Sequence, residues 1–582
     1  MNRAWRPGAN RWRVAPVFAG SFDVARRCNT SPLVVQVLHN RRIDTPEGVC
    51  AFLNPKLTDL HDPLELPGCQ QAARRISQAV SEGERIVIYG DYDVDGMASV
   101  AILQSILRLA GADVHYYVPH RLDEGYGLNC QAVKKLLDEG MKLMVTVDCG
   151  ISSFEPLDLA AGGGAEVIIT DHHSPSDRLP GAYSIVHPAV PPGAYANPDL
   201  SGAGVAFKLA WQVARELSGQ QKVEQGLREF LLEATCLAAL GTIADIVPLT
   251  GENRCLATFG LRGLPATNHP GLKALLESAN LTGERLDAYH VGFLLAPRLN
   301  ACGRMGHAKL AVELLAGANA DRAMKIAQHL AQQNAERQRV EREISEQAEK
   351  IIESKGLAGP DDRVIVLAGH DWHGGVIGIV AARLVSRFGL PVILIASNGQ
   401  QLAQGSGRSI PGFHMRDALA ACGEYLDKFG GHAMAGGLRI STDRIADFEQ
   451  AMRRYAKDHV SDAMLERVVE IDAQGCFDEL NYDAVEHLSR LAPFGQGNPE
   501  PVIGFFDCGL VSAKRMGKNG GTVCLTLRQK GIILRAVGFG MGELADELSA
   551  ERRVDVAALP VLNKFNGRTS VELRLRDVWI AE

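Results

Sequence analysis

The sequence predicts an α/β protein made of a parallel-sheet domain, a long connecting helix, a second α/β domain and a small C-terminal β-barrel. Three observations predict it. Short β-branched runs alternate with helical patterns from residue 85 onwards and again from 364 to 396, which is the signature of βαβ units. Residues 320–355 form one long amphipathic stretch, the pattern of a rigid connector. Beyond about residue 465 helical signals thin out and alternating strands take over, as in a small barrel.

The chain has 582 residues, too many for a single core. With 46% hydrophobic and 22% charged residues it has the composition of a soluble globular protein. A formal net charge of −7 excludes a polycation, so nucleic-acid binding would rest on local basic patches and bound metal. The twelve cysteines are scattered without a C-x-x-C pair. That speaks against zinc ribbons and for reduced thiols in a cytoplasmic protein. The N-terminus, MNRAWRPGANRWRV, is basic without an apolar segment and is not expected to be a signal peptide. The most apolar stretch, 231–249, is broken by Glu233 and Asp245, so no membrane span is expected.

In chain order, residues 1–75 read as a lead-in, with a helix start at Ser31-Pro32. The first α/β domain, 76–315, has strand candidates at 85–89, 113–118, 142–147 and 166–170 and a helix at 131–139. In the connecting helix, 316–356, Met324, Ala327, Leu330, Ala331, Val340, Ile344, Ala348, Ile351 and Ile352 mostly keep helical spacing. Gly356 and Gly359-Pro360 stop it. The second α/β domain, 357–462, opens with strand 364–368, helix 376–388 and strand 391–396. The last domain, 463–582, has strand candidates at 522–529, 532–539 and 569–575.

The stretch Asp91-x-Asp93-x-Asp95-Gly96 begins like an EF-hand calcium loop. The twelfth position, however, is Ile102, and a strand rather than a helix precedes it. The aspartates therefore fall on a strand-to-helix turn at the carboxyl end of a parallel strand, where α/β sheets bind ligands. A helix cap needs one aspartate. Three so close repel one another, and a cation is the usual remedy. Asp148, the triplet Asp171-His172-His173, and Asp245 in the run 241–248 likewise fall at the ends of predicted strands. Oxygen ligands and imidazoles on one sheet edge suit manganese or magnesium better than structural zinc. Two such ions about 3.5–4 Å apart, bridged by one carboxylate, can clamp a phosphoester and activate a water.

These four motifs resemble those of the DHH phosphoesterases, a family named for the triplet found here as Asp171-His172-His173. The order and spacing match across roughly residues 75–250. The likeness continues along the chain. Pro297-Arg298-Leu299-Asn300-Ala301-Cys302-Gly303-Arg304-Met305 is similar to a segment of the single-strand-specific exonuclease branch of that family. Gly430-Gly431-His432-Ala433-Met434-Ala435-Gly436-Gly437 resembles the glycine-rich signature of the DHH-associated domain. Phe494-Gly495-Gln496-Gly497-Asn498-Pro499-Glu500-Pro501 resembles the start of that branch's OB-like domain.

The resemblance implies a 5′→3′ exonuclease that degrades single-stranded DNA to mononucleotides with two Mn2+ or Mg2+ ions, serving repair and recombination. Asp93 would bind the first ion and Asp95 the second. Asp148 would bridge, and His172 and Asp245 would complete the second site. His173 would touch the scissile phosphate or act as an acid. Asp91 stands where many DHH phosphatases carry a histidine, so a direct ligand and a supporting residue both remain open.

Phosphates are gripped by arginines, backbone N–H groups and helix N-termini. Gly405-Ser406-Gly407-Arg408-Ser409 offers all but the helix. By resemblance, Ser406 and Arg408 form a 5′-phosphate pocket joined by Arg121, and Arg298, Asn300 and Arg304 hold the scissile region. The Gly430–Gly437 loop can let a backbone approach closely. His432 there is open between a phosphate contact and a buried structural role. Lys514, Arg515, Lys518 and Lys564 are candidates for a single-strand groove on the barrel. The resemblance also implies a channel too narrow for a duplex, a monomer, and single-strand-binding protein and a helicase as partners. Two alternatives stay open. One is a phosphodiesterase for short oligonucleotides or cyclic dinucleotides, whose family members generally lack the barrel and the 297–305 segment. The other is a catalytically inactive single-strand-binding scaffold, which the complete set of motif residues disfavours.

Overall fold

The computed structural model describes residues 10–120, 124, 127–190, 195–219, 222–304, 308–397, 399, 401–517, 519–548 and 552–580, with the backbone alone at 302–304. The chain divides into two compact units. One comprises 51–335 with 492–500, and the other comprises 1–50, 336–491 and 501–582.

The first unit is built on a five-stranded parallel sheet. Its spatial order is Val114–Tyr117, Ile86–Gly90, Leu143–Val147, Glu166–Thr170, Ser184–Val186. The two central strands are buried along their whole length, as expected where helices cover both faces. Ile86 and Ile88 point into the core made with helices Val94–Leu109, Gly202–Ser218 and Gln225–Ala244. Val87 and Tyr89 point the other way, against helices Cys130–Asp138 and Phe154–Gly162.

One expectation is corrected here. The run 241–248 is not a strand. Its first part ends helix Gln225–Ala244, and Asp245 is the C-cap, its N–H donating to the Gly241 carbonyl at 2.9 Å. The apolar residues 234–243 are small as well as apolar, and the helix packs closely on Val94–Leu109 and Gly251–Gly263. A buried helix and a buried strand give the same apolar run, so periodicity did not separate them.

The second unit contains a five-stranded sheet in the order Lys428–Gly431, Ala435–Ser441, Leu402–Arg408, Val392–Ser397, Ile365–His370. Only the last pair is parallel. The C-terminal part is a closed five-stranded barrel. Ile503–Met516, Thr522–Gln529, Ile532–Phe539, Arg568–Ile580 and Arg553–Phe565 pair in turn, and the last returns to the first. Closure removes the free edges a small open sheet would expose. Near the N-terminus, Arg11–Val14 pairs in parallel with Val468–Ile471, and Ser31 caps helix Pro32–Asn40 through the Leu33 N–H. Helix Ala320–Ser354 has residues in both units. Ala323, Ile326, Ala327 and Leu330 are buried in the first core, and Ile344, Ala348 and Ile352 in the second.

Candidate metal centre and phosphate-binding strand

Seven acidic and imidazole side chains converge beyond the carboxyl ends of the parallel strands. Strand Ile86–Gly90 delivers the aspartate turn. Asp93 caps helix Val94–Leu109, its Oδ1 accepting the Gly96 N–H at 3.0 Å. That satisfies the capping role with one residue and leaves Asp91 and Asp95, both buried, outside it. Gly96 is required at this turn, because a Cβ there would fall 2.6 Å from the Asp91 carbonyl oxygen. Asp95 is seated on the first turn of helix Gly202–Ser218. Its Oδ2 accepts the Gly202 N–H at 2.6 Å and its Oδ1 the Ala203 N–H at 2.9 Å.

Asp148 follows strand Leu143–Val147 with φ of +57°, a left-handed conformation that aspartate tolerates better than most residues. The turn is tied by Thr146 Oγ1, which donates to the Cys149 carbonyl at 2.8 Å. Glu166–Thr170 delivers the triplet. Asp171 turns away from the cluster and organises it, accepting the N–H groups of His172 (2.7 Å), His173 (3.1 Å) and Ile151 (3.0 Å) and the His173 Nδ1 (2.8 Å).

The side-chain atoms of Asp91, Asp93 and Asp148 lie within 4.8 Å of one another. So do those of Asp95, His172 and Asp245, and those of Asp148, His172 and His173. Asp148 thus stands between two clusters, with His172 Nε2 3.1 Å from its Oδ1 and 3.5 Å from Oδ2 of Asp245. Burial, then the neighbouring carboxylates, push Asp95 and Asp148 well above the usual carboxylate range. Burial and Asp93 raise Asp245 to about 7. Burial and the facing His173 lower His172 to about 4, which leaves a neutral imidazole suited to coordination. Burial would also lower His173, but the hydrogen bond and charge of Asp171 outweigh it and raise it to about 9. Burial would raise Asp171, and its bonds to His173 and the backbone hold it at about 2 instead.

This donor set fits divalent cations. Oδ1 of Asp148 and Nε2 of His172 are buried and have no hydrogen-bond partner among the described residues. Crowded buried carboxylates are costly unless a cation neutralises them. The surroundings are also shaped for close approach, since a Cβ on Gly202 would fall 2.7 Å from Oδ1 of Asp148 and 2.8 Å from Oδ2 of Asp95.

In the second unit Ser406 and Arg408 lie on strand Leu402–Arg408, not in a turn. Arg408 Nη1 donates to Ser406 Oγ (3.1 Å) and to the Gly407 carbonyl (2.8 Å). Helix Ile377–Phe388 supplies what the sequence stretch lacked. A Cβ on Gly378, in its first turn, would meet Ser406 Oγ at 2.9 Å and Arg408 Nη2 at 3.0 Å. The glycine-rich hairpin pairs with the same strand, Ala435 opposite Arg408 and Gly437 opposite Ser406. His432 is exposed at the hairpin tip, so the structure decides against a buried His there. Arg298 and Asn300 belong to helix Ala296–Arg304. Arg298 donates to the carbonyls of Leu294 (2.5 Å) and Ser278 (3.4 Å). Arg304 closes that helix, and Arg121 and Lys518 lie outside the described residues. On the barrel, Arg515 pairs with Asp546, while Lys514 and Lys564 lie on the strands Ile503–Met516 and Arg553–Phe565.

Sequence reasoning missed three parts of these two separate sites. They are the orienting role of Asp171, the helix N-terminus under Asp95, and the one beside Ser406 and Arg408. The Ser201-Gly202-Ala203-Gly204 run carried a signal for the second, a capping serine followed by residues small enough to admit carboxylates.

The DHH family N-terminal domain model matches residues 85–239, the DHHA1 domain 361–458 and the RecJ OB domain 471–577. The chain is 37% identical over 561 residues to the single-stranded-DNA-specific exonuclease RecJ of Bacillus subtilis, covering 96% of this chain and 69% of that one. It is similar to the crystal structure of Thermus thermophilus RecJ in complex with Mn2+, with a TM-score of 0.83 and 33% identity over 98% of this chain and 80% of that one. The Mg2+ complex of the same protein gives 0.77 and 31%, over 98% and 79%. With three matching domains in order and a relative 37% identical over 96% of this chain and 69% of its own length, the chain belongs to the RecJ family.

Proposed function

We propose that this chain is a metal-dependent exonuclease that degrades single-stranded DNA from its 5′ end to mononucleotides, in DNA repair and recombination. The observation that carries this reading is the pair of clusters that meet at Asp148. Asp91, Asp93 and Asp148 would hold one divalent ion, and Asp95, Asp148, His172 and Asp245 the other. Two Mn2+ or Mg2+ ions in these positions would polarise the phosphodiester and make a water nucleophilic at neutral pH.

The remaining chemistry belongs to the chain. Asp171 fixes the His173 ring through Nδ1 and keeps it cationic. His173 then faces the scissile phosphate as a positive charge and donates a proton to the departing 3′ oxygen. Asn300 and Arg304 hold the scissile region, and Arg298 does so by bracing their helix. Ser406 Oγ, the Arg408 guanidinium and the N-terminus of helix Ile377–Phe388 bind a terminal 5′ phosphate, which sets direction. Arg121 and His432 add to phosphate binding. The barrel holds the strand that follows. The domains divide at 1–75, 76–315, 316–356, 357–462 and 463–582. The protein works as a cytoplasmic monomer beside single-strand-binding protein and a helicase. No described helix is long and apolar enough to cross a membrane.

The test is digestion of one oligonucleotide, single- and double-stranded and labelled at either end, with Mn2+, Mg2+ or chelator. The expected result is mononucleotides from the 5′ end of the single strand alone, and only with metal. Binding without digestion would make the protein a scaffold. Cleavage of only very short oligomers would make it a small-substrate phosphodiesterase.

A further inference from the structure

Two large aromatic rings stand in the open on the first unit. Tyr289 is 59% exposed and Phe293 66%. They lie four residues apart on one helix, so their side chains are neighbours. Their rings are stacked, with centroids 5.0 Å apart and planes inclined by 24°. Single exposed apolar residues need no explanation, but paired parallel rings that bury little of themselves are different.

The backbone beneath them is unusual. His290–Leu295 forms a π-helical turn running directly into helix Ala296–Arg304, and such turns inside α-helices recur at functional sites. The turn is braced on three sides. Asp287 accepts the His290 N–H at 3.1 Å and the His290 Nδ1 at 2.6 Å. Val291 and Leu295 are buried in the core. Arg298 reaches back to the Leu294 carbonyl and across to Ser278, at the end of helix Pro270–Ser278. The π turn packs on helix Gln225–Ala244, which ends at Asp245, and Ala296–Arg304 packs on helix Val94–Leu109, which starts at the aspartate turn.

We infer that Tyr289 and Phe293 form a stacking platform for a base of the single strand, and that Arg298 is the positioning residue that holds the platform. The inference rests on the proposed single-stranded substrate. An exposed aromatic pair suits that occupant because every base presents a π-face, and stacking tolerates any sequence. It also requires an unstacked base, which a duplex does not offer.

The experiment measures affinity in chelator, so it does not depend on hydrolysis. A fluorescent single-stranded oligonucleotide is compared with versions carrying one abasic site walked along the strand. The proteins are the full chain, Tyr289→Ala, Phe293→Ala and the aromatic swap Phe293→Trp. Removing either ring is expected to weaken binding of the intact strand about tenfold, the scale of one base–aromatic stack. One abasic position should cost the unaltered protein the same factor and cost the alanine variants nothing further. Phe293→Trp should bind as the unaltered protein does. Alanine variants with unchanged affinity, or with the abasic penalty intact at every position, would overturn the platform. Arg298→Ala should reproduce the alanine variants' loss of base dependence, and if it leaves the abasic penalty intact its positioning role is overturned. Failure of the functional reading would look different: the unaltered protein would bind the strand and leave it undigested with Mn2+.

Discussion

Nε2 of His172 lies 3.1 Å from Oδ1 of Asp148, and both atoms are buried without a hydrogen-bond partner among the described residues. A neutral imidazole nitrogen and a carboxylate oxygen are ordinary ligands of a divalent cation, and one ion could take both. Asp148→Asn removes the shared charge of both clusters. Hydrolysis of single-stranded DNA by this variant is expected to fall at least a thousandfold, about 4 kcal/mol of transition-state stabilisation. In chelator the same variant should melt no lower than the unaltered protein, because it relieves repulsion from Asp91, Asp93, Asp95 and Asp245. Full activity in Asp148→Asn would remove the two-metal assignment.

The metal-free centre should also register in stability against pH. Asp245 is raised to about 7 and His173 to about 9. Both lie above their unfolded values, so each contributes stability at low pH that is lost as pH rises through the folded value. His172, lowered to about 4, works in the opposite sense only below its unfolded value of about 6.5. Above pH 6.5 His172 no longer opposes the raised groups, and Asp95 and Asp148, also raised, act in the same sense as Asp245 and His173, so between pH 6.5 and 9 the melting temperature in chelator should fall by about 2–4 °C or more. Saturating Mn2+ should flatten that slope and raise the midpoint, since a ligand at a hundred times its Kd adds about 2.7 kcal/mol. A chelated protein with a flat profile over this range would contradict the crowded-carboxylate account.

Gly202 tests the geometry while every candidate ligand keeps its own side chain. Its N–H holds Asp95, and a Cβ would fall 2.7 Å from Oδ1 of Asp148. Gly202→Ala must move one carboxylate or the helix end. Its Mn2+ requirement, read as the concentration for half-maximal hydrolysis, should rise at least about tenfold, since sub-ångström misplacement of a reacting group is costly. An unchanged requirement would mean that Asp95 and Asp148 are not both ligands.

Arg408 should govern the end rather than the chemistry. A guanidinium presents a planar fork to phosphate and an ammonium does not, so Arg408→Lys is not conservative here. The KM for a 5′-phosphorylated strand should rise about tenfold in Arg408→Lys, and the preference over a 5′-hydroxyl strand should disappear. A variant that keeps the preference would place the terminal phosphate elsewhere.

Much of this centre was legible in the sequence because its carriers are local. The aspartate turn and the histidine triplet are each short, each follows a β-branched run, and the parallel strands put them on one edge. Asp245 was found by its motif and misplaced by its surroundings, since a small apolar run reads equally as a buried helix or strand. The run 201–204 shows a capped helix start, but that Asp95 meets it was not legible, nor was the place of Gly378 beside Ser406 and Arg408, because the partners are distant in sequence. Only the fold brings the Gly202 and Ala203 N–H groups to Asp95, and the first helical turn at Gly378 beside Ser406 and Arg408. Arg298 shows the reverse case. Its motif points to DNA, while its hydrogen bonds are to the backbone beneath a pair of exposed rings.

The helix that seats Asp95 is itself fixed by a buried ion pair. Lys208, on helix Gly202–Ser218, pairs with Glu252 and donates to the His61 carbonyl at 2.5 Å. Glu252 also accepts the Tyr195 hydroxyl at 2.5 Å and the His61 N–H at 2.9 Å. Both charged side chains are fully enclosed. Lys208→Met keeps much of the volume and removes the cation, leaving a buried carboxylate without its countercharge, which costs about 3–5 kcal/mol. The expected outcome is a large drop in melting temperature with single-strand hydrolysis retained at low temperature, since Lys208 touches neither cluster. The double variant Lys208→Met with Glu252→Gln should recover most of the stability, because it removes the orphaned charge along with its partner. A double variant no more stable than Lys208→Met would mean that the helix depends on the lysine's packing and its bond to His61, not on the pair.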